Sequence, residues 1–147
     1  MIFPPPTRRV LAAMTEALGA DEEDEHGLVP LPEAVVTRVV LEYDAWISSA
    51  SPTLPIALTL VATLIELLPL FLIGRFSRMS QLPLAERIDF LERVEGSSLG
   101  LLAAGFMGLK VGLVMLIYEQ GAELHETGFD RESLRVRRKL PVAGVAR

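Results

Sequence analysis

The stretch "PIALTLVATLIELLPLFLIG", residues 55–74, constrains this chain more than any other, because nearly every side chain in it is apolar and one, Glu66, is an acid. Such a run has to be covered by lipid or by protein, since leaving it in water is strongly unfavourable. A bilayer helix needs about 20 apolar residues, and two runs reach that length, 54–74 and 98–118. Length alone suggests a transmembrane hairpin. Glu66 in the first run and Lys110 in the second oppose it, because each costs about 3 kcal/mol or more in lipid unless paired. Thr59, Thr63 and Glu66 share one helical face, where protein or water can meet them. The segment between the runs, 75–97, carries four arginines and four acids and so orients nothing. Two readings remain, a helical core that belongs against a partner and a two-span membrane anchor. An ion pair between Glu66 and Lys110 fits both.

The rest of the chain reads as helix. Pro4, Pro5 and Pro6 exclude a helix start before residue 7, so Thr7 is the expected N-cap of a first helix over 7–18, with Gly19 as its stop. The acids of 21–25 read as an open, solvated loop. In "LPEAVVTRVVLEYDAWIS", Pro32 suits a first helical turn. The apolar spacing of three and four outweighs the strand preference of its valines. Pro83 opens an amphipathic helix ending near Gly96, with Leu84, Ile88, Leu91 and Val94 as its apolar stripe and Arg87 among the charges of its wet side. In the second long run Gly100, Ala104, Gly108 and Gly112 recur every fourth residue and form a groove for a closely packed helix. "ELHETGFDRESLRVRRKLPVAGVAR" closes the chain as a basic, irregular tail.

The totals exclude several functions. A net charge of −5 argues against broad nucleic-acid binding, and the absence of cysteine removes disulfides, thiolate chemistry and cysteine-bound metals. Arg8 and Arg9 precede a short apolar run, but Glu16 and the acids after it break the pattern of an export signal. His26 and His125 stand in polar segments without a metal-binding or catalytic constellation, and no phosphate loop, dinucleotide fingerprint or serine elbow occurs. Half of the residues are hydrophobic and the mean hydropathy is +0.39. That excess suits a chain that shares its core with a partner. The expected fold is all-α, a single irregular bundle of about five to six helices with two long apolar ones, over residues 1–130, followed by the tail 131–147.

One ordered combination resembles a known family: "RRVLAAMTEAL", the apolar helix with Glu66 and Pro69, Arg75-Phe76-Ser77-Arg78, Leu82-Pro83, Glu86-Arg87, Leu91-Glu92-Arg93 with Ser97, Gly108-Leu109-Lys110, Tyr118 and Gly128-Phe129. Across residues 7–130 it is similar to the helical small subunit of flavin-dependent dehydrogenases of the glucose-methanol-choline type, including the gluconate 2-dehydrogenase small-subunit family. It departs from that pattern at Leu82 and Glu119. The resemblance implies a non-catalytic accessory subunit with no cofactor of its own, bound to a larger FAD-carrying oxidoreductase that acts on hydroxyl groups. On that basis Glu66, Arg75, Phe76, Arg78, Arg87, Lys110 and Tyr118 are the expected partner-facing residues. A cytoplasmic location with peripheral membrane association is the matching expectation.

Overall fold

The computed structural model describes residues 2–23, 27–74 and 76–119. Helix α1 (Pro5–Leu18) leads through a small hairpin, β1 (Asp21–Glu23) and β2 (Gly27–Val29), to α2 (Glu33–Ser48). Then follow α3 (Leu54–Leu67), the single turn α4 (Pro69–Leu72), a 3-10 turn at Met79–Gln81, α5 (Leu84–Glu95) and α6 (Gly100–Tyr118). The all-α character expected from the sequence holds. Met1–Ile117 forms one compact unit and the residues from Tyr118 form another, of which Tyr118 and Glu119 are described. His26, His125 and the tail 131–147 lie outside the described residues.

Proline sets the helix starts in a way the sequence reading missed. α1 begins at Pro5, not residue 7, and Thr7 is buried inside the helix instead of capping it. The first N–H groups of a helix have no intrahelical acceptor, so Pro5 and Pro6 forfeit nothing there, and their fixed φ suits the first turn. Pro4, Pro32 and Pro83 occupy the N-cap positions of α1, α2 and α5, each with an extended ψ. Their carbonyls accept from Arg8, Val36 and Arg87 respectively. A proline there meets the cap's backbone geometry without any side-chain hydrogen bond.

Two further expectations are corrected. Asp21–Glu23 is not open loop but pairs antiparallel with Gly27–Val29, Asp21 opposite Val29, and Gly27 has a φ of 71°. The run 54–74 is not one long helix. Pro69 has no N–H to offer the carbonyl of Ile65, so α3 stops at Leu67 and α4 restarts after Leu68. Among the described residues one helix, α6, is long and apolar enough to cross a membrane, where two were expected.

The core forms where α1 packs on α2, α3 and α5. Leu11 and Met14 of α1, Val39 and Tyr43 of α2, Ile65 of α3 and Phe90 of α5 are all fully buried. α6 adds Phe106, Leu109 and Leu113 to the same cluster. The end of the chain preceding α1 is tied down as well. The Asp44 carboxylate, itself buried, accepts from the backbone N–H groups of Ile2 and Phe3, and the Phe3 ring stacks on Tyr43 with centroids 6.1 Å apart.

Candidate functional site

The sequence places apolar residues all around α3 and α6, and the core can cover one side of each. On α3, Leu58, Ala62 and Ile65 face inward, leaving Ile56, Leu60, Leu64 and Leu67 exposed on the opposite side, with Phe71 of α4 79% exposed beyond them. On α6, Leu102, Phe106, Leu109 and Leu113 face inward. Leu101, Ala104, Gly108, Val111 and Met115 then form an exposed stripe at the three-and-four spacing of a coiled-coil seam, and Leu101 is 93% exposed.

These two outer faces border one seam. A Cβ at Gly105 would stand 2.8 Å from Val61 Cγ2, closer than side chains approach, so glycine is what lets α6 meet α3 here. Val61 lies at the edge of the buried stripe of α3 and Gly105 at the edge of that of α6, so beyond their contact both helices turn their exposed faces outward side by side. At Gly112 a Cβ would stand 2.5 Å from Tyr43 Cε2 and 3.2 Å from Trp46 Cζ3, which brings the half-exposed indole of α2 to the same edge. The tight positions are therefore Gly105 and Gly112, seven residues apart. The four-residue groove inferred from sequence is corrected accordingly, because Gly100 and Gly108 have open space before them and Ala104 is exposed.

The charges of both apolar runs are drawn off this face. Glu66 accepts from the Ser80 N–H at 3.0 Å and from the Ser80 hydroxyl at 2.6 Å. Lys110 pairs with Glu95 of α5 at 2.5 Å. The Glu66–Lys110 pair that the sequence allowed is not formed, because each residue finds a nearer partner on a neighbouring element. Thr63 spends its hydroxyl on the Thr59 carbonyl. Among the described residues the surface spanning the seam carries no charged side chain, and the Thr63 hydroxyl on it donates within its own helix.

The other expected interface residues scatter. Arg87 is not on a wet face. It is 8% exposed, donates to the carbonyls of Ala13 and Leu82, and pairs with Glu16 at 2.5 Å, so it braces α5 against α1. Phe76 is 97% exposed, Arg78 is exposed beside it, and Tyr118 is half-exposed at the end of α6. Arg75 lies outside the described residues. Sequence reasoning missed Arg9, which lines a cavity of about 210 Å³ together with Glu66, Leu67 and Arg78. It also missed the outer stripe of α6, for which the spacing 101, 104, 108, 111, 115 was the available signal. Among the described residues no three histidine, aspartate or glutamate side chains gather as a metal would require.

Compared with protein-family models, curated proteins and solved structures, the chain matches none.

Proposed function

We propose that the chain is a non-catalytic accessory subunit that binds and stabilises a larger FAD-dependent oxidoreductase of the glucose-methanol-choline type acting on hydroxyl groups. The observation that supports a partner is the outer stripe of α6. Leu101, Val111 and Met115 flank Ala104 and Gly108, so a second helix can approach the backbone closely at the middle of the stripe and be gripped by large side chains at its ends. The identity of that partner rests on the resemblance carried by the residues around Glu66, Phe76, Arg87 and Lys110. FAD would reside in the partner, and the complex would be cytoplasmic with peripheral attachment to a membrane. A small irregular bundle that is completed by the partner's helix is the matching architecture.

Co-expression with the product of the neighbouring gene tests this. The expected result is a yellow complex with flavin absorbance that purifies without detergent. A second reading, a membrane anchor, draws on the length of α6, 19 residues, but the break at Pro69 leaves it one span instead of two. Recovery only in detergent, without a flavoprotein, would favour that reading and reject the first.

A further inference from the structure

The two halves of the apolar face differ in relief and in what rims them. The α6 half has a small-residue centre that admits a helix backbone. The α3 half has none: Ile56, Leu60, Leu64, Leu67 and Phe71 are large, exposed and follow one another along the helix. Its polar groups are few and already engaged, the Thr63 hydroxyl donating to the Thr59 carbonyl and the Glu66 carboxylate accepting from Ser80. A surface of bulky side chains with few directional groups suits fluid acyl chains better than a folded partner, whose interfaces carry about one hydrogen bond per 100–200 Å².

The end of this half is cationic. Leu67 and Arg78 line two adjoining cavities, one of about 210 Å³ shared with Arg9 and Thr63, the other of about 270 Å³ shared with Phe76. Arg9 and Arg78 are exposed, and neither makes an ion pair among the described residues. Glu66 lies in the wall of both cavities with its two carboxylate oxygens held by Ser80, so their described walls carry two arginines and one acid, while the other side of Arg9 borders a cavity with Glu16 and Glu33. We propose that the edge formed by Leu67 of α3, Phe71 of α4 and Phe76 beyond it docks on an anionic phospholipid surface, with these three side chains among the acyl chains and Arg9 and Arg78 on headgroup phosphates. An apolar face rimmed by arginine is the pattern of interfacial attachment, and each arginine near an anionic leaflet strengthens binding by a factor of about five. The docking rests on the peripheral attachment proposed above and names the surface and the lipid chemistry that would carry it; whether the partner carries FAD is a separate question, read by the flavin absorbance of the complex.

Sedimentation of the full chain with vesicles of phosphatidylcholine, with and without phosphatidylglycerol, tests the assignment. Tighter binding to the mixed vesicles is expected. The double variant Arg9→Gln, Arg78→Gln should lower the partition onto them about thirtyfold and leave neutral vesicles unaffected. Phe76→Ser, at a position too exposed to disturb the fold, should weaken binding to both. No binding, or equal binding of native and doubly substituted chains, overturns the proposal. Phe76→Trp in a Trp46→Phe background separates lipid from protein as the occupant. Its emission should shift to the blue when vesicles are added to the flavoprotein complex. Emission already shifted in that complex and unchanged by vesicles would mean that protein covers the edge, and the lipid assignment would fall.

Discussion

At the scale of single residues, two glycines of α6 behave in opposite ways although both sit in one helix. Gly112 has no room for a Cβ, with Tyr43 Cε2 2.5 Å from its position, while nothing lies within 4 Å of that position at Gly108. Gly112→Ala should therefore destabilise the chain by about 1–3 kcal/mol through overpacking, whereas Gly108→Ala should gain up to about 1 kcal/mol of helix propensity. Urea denaturation of the two variants side by side checks the contrast, and equal effects would contradict the packing described. Tyr43 itself supplies a pH signature. Burial pushes its phenol up from 10.0 to about 12, so the folded state holds the proton more firmly than the unfolded chain. Stability from this group is intact below pH about 10. It declines as pH rises through about 12, for a total loss of about 2–3 kcal/mol. The fall in denaturation midpoint over that alkaline range should be shallower in Tyr43→Phe by that amount.

At the scale of elements, the break after Leu67 and the outward stripe of α6 decide what the chain can meet. A charge on the stripe leaves the free fold alone, because Val111 and Met115 are exposed, but it puts an unpaired ion inside any helical interface. Val111→Asp or Met115→Asp should weaken co-purification with the flavoprotein by about thirtyfold or more, the cost of burying an unmatched charge, with the helical circular dichroism of the free chain unchanged. These elements also show what the sequence made legible. The valine-rich segment of α2 obeys its helical spacing over its strand preference, and α5 follows its apolar stripe. Helix termini were read less well. Cap side chains are the familiar signal, and here prolines at residues 4, 32 and 83 hold the cap positions by backbone geometry alone. The glycine spacing misled for a related reason. Repetition every fourth residue identifies a face of small residues, but only a neighbour such as Val61 or Tyr43 shows which glycines are pressed against anything.

At the scale of the whole molecule, the candidate site was half legible. Composition pointed to uncovered apolar surface, and α3 and α6 provide it. Which charges lie on that surface could not be read from either run alone, since Glu66 and Lys110 are drawn aside by Ser80 and Glu95, fourteen and fifteen positions away. Arg87 was the largest misreading, because a periodic charge on an amphipathic helix usually faces water, and here it reaches back to α1. Arg87→Met should remove donors from the carbonyls of Ala13 and Leu82 and cost about 2–3 kcal/mol. Glu16→Gln, which touches only the half-exposed end of the pair, should cost under about 1 kcal/mol. Denaturation midpoints distinguish them, and a larger effect for Glu16 would shift the weight from the carbonyls to the ion pair. The brace joins residues separated by 71 positions in the chain. During synthesis α1 leaves the ribosome long before α5, so its Ala13 carbonyl and Glu16 carboxylate wait in water for a guanidinium not yet translated. A nascent chain halted ahead of residue 87 carries α1 without its brace, and the unit can close only after α5 has emerged.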